Sequence, residues 1–517
     1  MTRAGRRGDA VQAARRAAAA LWRAPLGDPA YDAAGPAAVG APPANPPASF
    51  AVPEPAVSEP AVLGGLTAPD ALAAAARSAG LGAFVAMADR ASSGRPDGGL
   101  RGPLAGVPVA IKDVFDVAGQ RVGNGTTGFG QRTTSADCDA WRRLAAAGAV
   151  LLGRTRLPEL AWHVRTPGCV NPWSPGRDAG GSSGGSAVAV AAGTVRVALG
   201  TDTGGSIRIP AALCGVAGLR PTVGVVSGRG VTPLAPTMDT VGPIAATAAE
   251  CLLVHRLLAA RSPGPGGPAR SPAGRPDGAT AVAGHGPAGL RVGWPEGFWQ
   301  DWVSPDVARG VAAAADALRQ AGVDMVPVEL PPLALAARTA AYVIILAESA
   351  GLWHAAATAA GPGEVSDRLA GLLAAGAALA AADYLRARRV AAAIGREVAT
   401  LLARQRLAAL LLPTVPVTAA PTSAESAETG GRAVPVEAAY VAMTGLASVT
   451  GLPALSVPCG LAGSGLPLGA QLVGAAHAEA VLCLLGGVIE NGPGGQAVAA
   501  ARGRISAAPP GRQEESG

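Results

Sequence analysis

The sequence predicts an α/β fold. Short β-rich runs alternate with helical stretches from Gly102 to about Cys251, and the alternation resumes after residue 288. Hydrophobic residues make up 49% of the 517. That is ample for a large core covered by several layers. Residues 1–60 begin with an Arg/Ala segment of helical composition and run into Pro/Ala-rich sequence, which reads as a weakly ordered extension. Thr67 to Ala88 is expected to be helical, with Thr67 as N-cap, Pro69 early and Asp70 in the first turn. Strands are expected at Val107–Ile111, Val150–Leu152 and Val195–Leu199, and helices at Ala136–Ala147 and Ser183–Ala192. The Pro/Gly-rich residues 261–288 read as a surface insertion. A second unit follows, with strands at Leu290–Gly293 and Asp324–Val328 around a helix at Val307–Ala321. Residues 334–409, dominated by Ala and Leu, read as helices. Leu410–Leu412 is a short strand ended by Pro413, and 419–435 a polar, Gly-containing loop at a site rim. Leu455–Val457 and Ala470–Val473 close the core. The Gly/Pro/Arg-rich residues 493–517 are expected to be a flexible tail. No internal repeat is visible.

Composition excludes several classes. The net charge is +6, but the positive residues are scattered, which argues against nucleic-acid binding. No uninterrupted apolar run reaches the roughly 18 residues of a membrane span. The apolar stretch Ala17–Trp22 is short and separated from Arg6 and Arg7 by Arg15 and Arg16, so no secretory signal is expected. The six cysteines form no C-x-x-C pair and read as reduced thiols in a cytoplasmic protein. The five histidines show no H-x-x-x-H spacing, so neither a metal nor another cofactor is expected. One fact is sharper. All but one of the 42 basic residues are arginine, and the exception is Lys112. Arginine cannot lose its proton in a protein, whereas a buried lysine can. Composition alone leaves chance survival and a task needing a neutral amine equally open.

Three segments carry chemistry. Pro108-Val109-Ala110-Ile111-Lys112-Asp113 delivers the lysine from an apolar strand, where burial makes an amine basic in its neutral form. Gly180-Gly181-Ser182-Ser183-Gly184-Gly185-Ser186 precedes an Ala/Val-rich helix. By shape it suits either a phosphate nest or serine catalysis, although it lacks the Gly-Lys-Ser/Thr ending of a nucleotide P-loop. In Gly200-Thr201-Asp202-Thr203-Gly204-Gly205-Ser206-Ile207-Arg208-Ile209-Pro210, two glycines before Ser206 let consecutive N–H groups converge on one point. That suits an oxyanion hole or a plain tight turn.

Together the three segments resemble the amidase signature family. Ser182 and Ser206 lie 24 positions apart, as the family's two catalytic serines do. Asp239-Thr240-Val241-Gly242-Pro243, Gly451-Leu452-Pro453-Ala454-Leu455-Ser456-Val457-Pro458 and Gly465-Leu466-Pro467-Leu468-Gly469 extend the match. The resemblance implies a large mixed central β-sheet covered by helices on both faces. It also implies a catalytic domain over 61–492 with its signature core at 102–243. It implies Ser206 as nucleophile, Ser182 as bridging serine after a cis peptide bond, and Lys112 as base. The N–H groups of Thr203, Gly204, Gly205 and Ser206 would form the oxyanion hole, with Ser183, Asp202 and Arg208 in support. Trp162 and His163 are candidates for the substrate pocket.

The implied reaction is hydrolysis of a small-molecule amide, without nucleic acid, membrane or cofactor, and with a homodimer kept open as the assembly. The alternative is the glutaminase subunit of an aminoacyl-tRNA amidotransferase. That subunit reads Ile-Arg-Gln after the nucleophile and Asp-Gln-Ile-Gly-Pro later. This chain has Ile207-Arg208-Ile209 and Asp239-Thr240-Val241-Gly242-Pro243, and both departures favour the stand-alone enzyme.

Overall fold

The computed structural model describes residues 66–88, 101–259 and 286–507, with a few positions between 12 and 19. The expected extension at 1–60 and nearly all of the 261–288 insertion lie outside the described residues. Among the described residues, fifteen strands run in chain order: β1 Phe84–Met87, β2 Pro108–Lys112, β3 Arg121–Val122, β4 Arg132–Thr133, β5 Val150–Thr155, β6 Val197–Asp202, β7 Ala217–Arg220, β8 Thr240–Ala245, β9 Arg291–Pro295, β10 Asp324–Val328, β11 Ala409–Pro413, β12 Ser426–Thr429, β13 Arg432–Pro435, β14 Ala454–Leu461 and β15 Pro467–Val473. Eleven of them form one mixed sheet in the order β1-β5-β2-β6-β8-β7-β14-β15-β11-β9-β10. β2 pairs parallel with β5 and β6, and β9 parallel with β10 and β11, while the pairs between these groups are antiparallel.

Strand alternation divides the sheet into two apolar faces. Val109, Ile111, Leu151, Val197 and Leu199 enter one core cluster with helices Asp139–Ala146 and Ala248–Ala259. Ala110, Leu152, Ala198 and Ile244 enter another, packed by helix Gly184–Ala191. Helices therefore cover both faces, as expected. The same parity places Lys112, two residues after Ala110, on the face that carries the Gly184–Ala191 helix.

Most expected strands and helices form near their expected limits. Three readings are corrected. The helix expected over Thr67–Ala88 ends at Arg77; a 3-10 turn at Ala79–Leu81 and Gly82 at φ 64° turn the chain into the edge strand β1. Its start is as expected, for Thr67 and Asp70 form a reciprocal capping box with Pro69 early in the first turn. The 419–435 loop contains the hairpin β12–β13, turned by Gly430 and Gly431 at φ 57° and 67°. The expected flexible tail begins with a helix, Pro493–Ala507. Val498 on it is fully buried, and Arg502 donates to the carbonyls of Gly215 and Ala246 at 2.9 and 3.0 Å. Gly494 reads as a helix breaker, yet a Cβ there would sit 2.2 Å from the Cys459 carbonyl oxygen. Close packing on β14 sets that choice.

Residues Pro332–Ala359 are long and apolar enough to cross a membrane by length and composition. Ala340, Val343, Ile344 and Leu346 of this stretch are buried inside the protein. All six cysteines are buried and unpaired.

Candidate active site

The site forms where β2 and β6 end and two Gly/Ser turns meet them. Lys112 at the end of β2 has no exposed surface. Its Nζ lies 2.7 Å from Ser182 Oγ and 2.7 Å from Thr201 Oγ1. Burial pushes its pKa down from 10.5 to about 7, against the opposing charges of Asp239 and Asp202. Near neutrality the amine is therefore poised between its two forms. When neutral it can donate to Thr201 and accept the Ser182 proton along the same 2.7 Å contact.

Ser182 is fully buried and follows the cis Gly181–Ser182 peptide. Ser183 ties the two serine turns together. Its N–H donates to the Ser206 carbonyl at 3.1 Å. Its Oγ donates to the Thr201 carbonyl at 3.2 Å and accepts from the Thr201 N–H at 3.3 Å. Ser206 is 5% exposed, at the start of the turn into helix Arg208–Cys214.

Asp202 at the end of β6 organises that turn from beneath. Its carboxylate accepts the N–H groups of Gly205 and Ile207 at 3.0 and 3.2 Å. It also accepts Arg208 Nε at 2.9 Å and a terminal nitrogen of Arg220 at 2.9 Å. All three charged side chains are fully buried. Burial alone would raise the Asp202 carboxyl, but the Arg208 and Arg220 guanidinium groups outweigh it and hold it well below the usual carboxylate range. Arg208 also reaches Gln471 Oε1, Ser448 Oγ and the Thr444 carbonyl. Thr444 Oγ1 donates to the Gly204 carbonyl at 2.6 Å.

Gly205 departs from the oxyanion role expected of it, because Asp202 engages its N–H. The N–H groups of Thr203, Gly204 and Ser206 have no hydrogen-bond partner among the described residues. Gly205 sits at φ 126°, and a Cβ there would lie 2.5 Å from Thr444 Oγ1. A Cβ on Gly204 would meet only Ile345 Cδ1, at 3.6 Å.

Trp162 and His163 lie on the segment that covers the serine turn, where Thr166 Oγ1 donates to the Gly180 carbonyl at 2.8 Å. Trp162 Nε1 donates to Ser349 Oγ at 3.0 Å, and its ring meets Tyr342 edge-on. His163 Nδ1 accepts the Arg165 N–H at 2.9 Å. Burial, with Arg368 and Arg165 nearby, pushes its pKa down to about 3, so it is neutral near pH 7. Its proton is then on Nε2, which faces Glu437 Oε1 at 3.4 Å.

Sequence patterns assign no role to Thr201, Arg220, Asp239, Thr444, Ser448 or Gln471. Thr201 and Asp239 stand inside the motifs above. Of the other four, Arg220 and Gln471 reach the turn from strands β7 and β15 and Thr444 and Ser448 from helix Gly445–Thr450, and none carries a local signal.

Comparisons with known proteins converge on one family. The family described as Amidase matches residues 72–483. An amidase from Pseudomonas putida is 38% identical over 372 residues, 71% of this chain and 78% of that protein. A glutamyl-tRNA(Gln) amidotransferase subunit from Chloroflexus aurantiacus is 36% identical over 433 residues, 78% of this chain and 86% of that protein. A crystal structure of an amidase superposes with a TM-score of 0.73 at 30% identity, covering 82% of this chain and 96% of that one.

Proposed function

The chain belongs to the amidase family and is a carbon–nitrogen amide hydrolase, and from that premise we propose that it cleaves a small, soluble carboxylic amide through a Ser206–Ser182–Lys112 relay. The observation that carries the reading is the fully buried Lys112, 2.7 Å from Ser182 and with its pKa pushed to about 7.

Neutral Lys112 takes the Ser182 proton while Ser182 takes that of Ser206. Ser206 Oγ attacks the amide carbon. The oxyanion is received by the N–H groups of Thr203, Gly204 and Ser206, and losing one such donor costs roughly 10²–10³ in rate. The proton returns through Ser182 to the leaving nitrogen as the C–N bond breaks, releasing ammonia or an amine. Water then hydrolyses the acyl-Ser206 ester to the carboxylate. No metal or organic cofactor enters any step.

Trp162 and His163 belong to the acyl wall in this reading. Tyr342 and Ser349, which meet Trp162, share helix Ala337–Ala359 with Ile345, the nearest group to the open side of Gly204. The relay lies within one chain, alone or in a homodimer. The six unpaired cysteines support a reducing compartment, the cytoplasm. Purified protein is expected to release ammonia from benzamide or indoleacetamide, and Ser206→Ala to abolish turnover while circular dichroism stays unchanged. Full activity in that variant refutes the assignment.

The similarity to a glutamyl-tRNA(Gln) amidotransferase component over 78% of the chain supports a second reading, a glutaminase that works within a complex. Activity confined to glutamine and dependent on partner proteins would select it. Against it, the position after Arg208 holds Ile209, fully buried in an apolar cluster with Val415, Val436 and Tyr440.

A further inference from the structure

The turn from Thr203 to Ser206 must hold its N–H groups still, and three tethers reach it. Asp202 accepts from Gly205 and Ile207 beneath it, and Thr444 donates to the Gly204 carbonyl at one side. The third is Thr203 Oγ1, which donates to Asp239 Oδ1 at 2.5 Å.

Asp239 is itself fixed. Its Oδ2 accepts the N–H groups of Leu234 and Ala235 at 2.8 and 3.0 Å, and its own N–H donates to the Ala235 carbonyl at 2.9 Å. The 233–239 loop is held in turn by helix Ala337–Ala359. Trp353 Nε1 donates to the Pro233 carbonyl at 3.0 Å, and Glu348 accepts the Thr237 N–H at 3.0 Å and its hydroxyl. A rigid chain of contacts thus runs from the helical layer through one carboxylate to the first residue of the oxyanion turn.

The same carboxylate bears on the base. The charged groups around it are Lys112 on β2, Asp202 with its partners Arg208 and Arg220, and Glu348 on the helix. Two guanidinium groups pair with Asp202, whereas the bonds to Asp239 come from a hydroxyl and two backbone N–H groups.

We propose that Asp239 is a positioning residue for amide hydrolysis, one that fixes the Thr203 donor and sets the charge facing Lys112. This rests on the relay reading above. A negative Asp239 favours protonated Lys112, so removing its charge lowers the pH at which the base becomes neutral.

The test is Asp239→Asn, with kcat and KM of the purified full chain measured on benzamide from pH 5.5 to 9. The expected result is a fall in kcat of about 10-fold or more, with KM within about 3-fold. The midpoint of the rising limb should move down by about half a unit or more. A kcat that holds, or a midpoint that stays or rises, overturns the proposal. If Asp239→Asn does not fold, Thr203→Val decides, since it deletes only the hydroxyl tether and keeps the N–H; the same kcat loss is expected, and an unchanged kcat overturns the proposal. Ser206→Ala in the same assay keeps the two claims separable. If that variant stays active the relay itself is wrong, whereas inactivity there with an unaltered Asp239→Asn removes only the role of Asp239.

Discussion

At the scale of single residues, electrostatics decides what each ionisable group can do. Lys112 loses hydration on burial, and of the two carboxylates near it Asp202 is compensated by Arg208 and Arg220. Burial therefore wins, and the amine titrates at about 7. The rate constant kcat/KM should rise with pH through a single limb centred near 7, since only the neutral amine accepts a proton. A flat profile across that limb would show that Lys112 is not the base. The stability consequence has a definite sign. Between about pH 7 and 10.5 the unfolded lysine binds a proton that the folded one does not, so stability rises with pH across that window. Asp202 makes the converse case. Asp202→Ala leaves two buried guanidinium groups without their counter-charge and should cost about 3–5 kcal/mol, read as a lower denaturant midpoint at unchanged slope. The lone lysine was legible because an arginine-rich composition made it conspicuous. Its pKa was not, because Asp202 and Asp239 become its neighbours only where β6 pairs with β2 and β8 pairs with β6.

At the scale of elements, the Gly/Ser turns act through backbone geometry. Gly204→Ala and Gly205→Ala separate space from strain. The first places a methyl 3.6 Å from Ile345 Cδ1, an ordinary contact; the second forces a side chain at φ 126° into Thr444. Gly205→Ala should lose at least about 10²-fold in kcat if the turn supplies the oxyanion donors as proposed. Gly204→Ala should keep the fold, with its melting temperature unchanged. Equal activity in the two variants would contradict the assigned turn geometry. The C-terminal helix makes a second case. Ending the chain at Gly492 removes the buried Val498 and both Arg502 hydrogen bonds, and should cost about 2–4 kcal/mol. A melting temperature equal to that of the full chain would show the helix to be dispensable. Strands such as β2 and β10 could be read from their apolar runs. This helix could not, because Gly494 answers to close packing on β14 and Gly495 to the end of helix Glu479–Asn491, and neither to helix propensity. The break after Arg77 is hidden in a similar way, as Ala-rich sequence continues past the point where Gly80 and Gly82 turn the chain.

At the scale of the whole molecule, one sheet gathers residues from distant parts of the chain. Lys112 and Gln471 stand on β2 and β15, Ser206 follows β6 and Asp239 precedes β8, and Ser182 and Thr444 lie at the starts of helices Gly184–Ala191 and Gly445–Thr450; the order β2-β6-β8-β7-β14-β15 and the helices packed on it bring them together. The proposed Lys112–Ser182–Ser206 relay was legible only as what the resemblance to the amidase signature family implies, since the shape of the Gly/Ser segments alone left a phosphate nest equally open. Its outer supports were not, because Arg208 reaches Gln471 and Ser448 across hundreds of residues with no repeating pattern. The single-chain account expects full turnover from purified protein without added partner proteins, measured as ammonia released per mole of enzyme. The central claim remains that Lys112 works as a neutral amine, and kcat/KM of Lys112→Arg against the unaltered chain tests it most directly. Arginine keeps the charge and approximate size but cannot lose its proton. The expected result is a loss of about 10³-fold or more, with no rising limb near pH 7. A variant that keeps activity within about 10-fold, with the limb in place, contradicts the account.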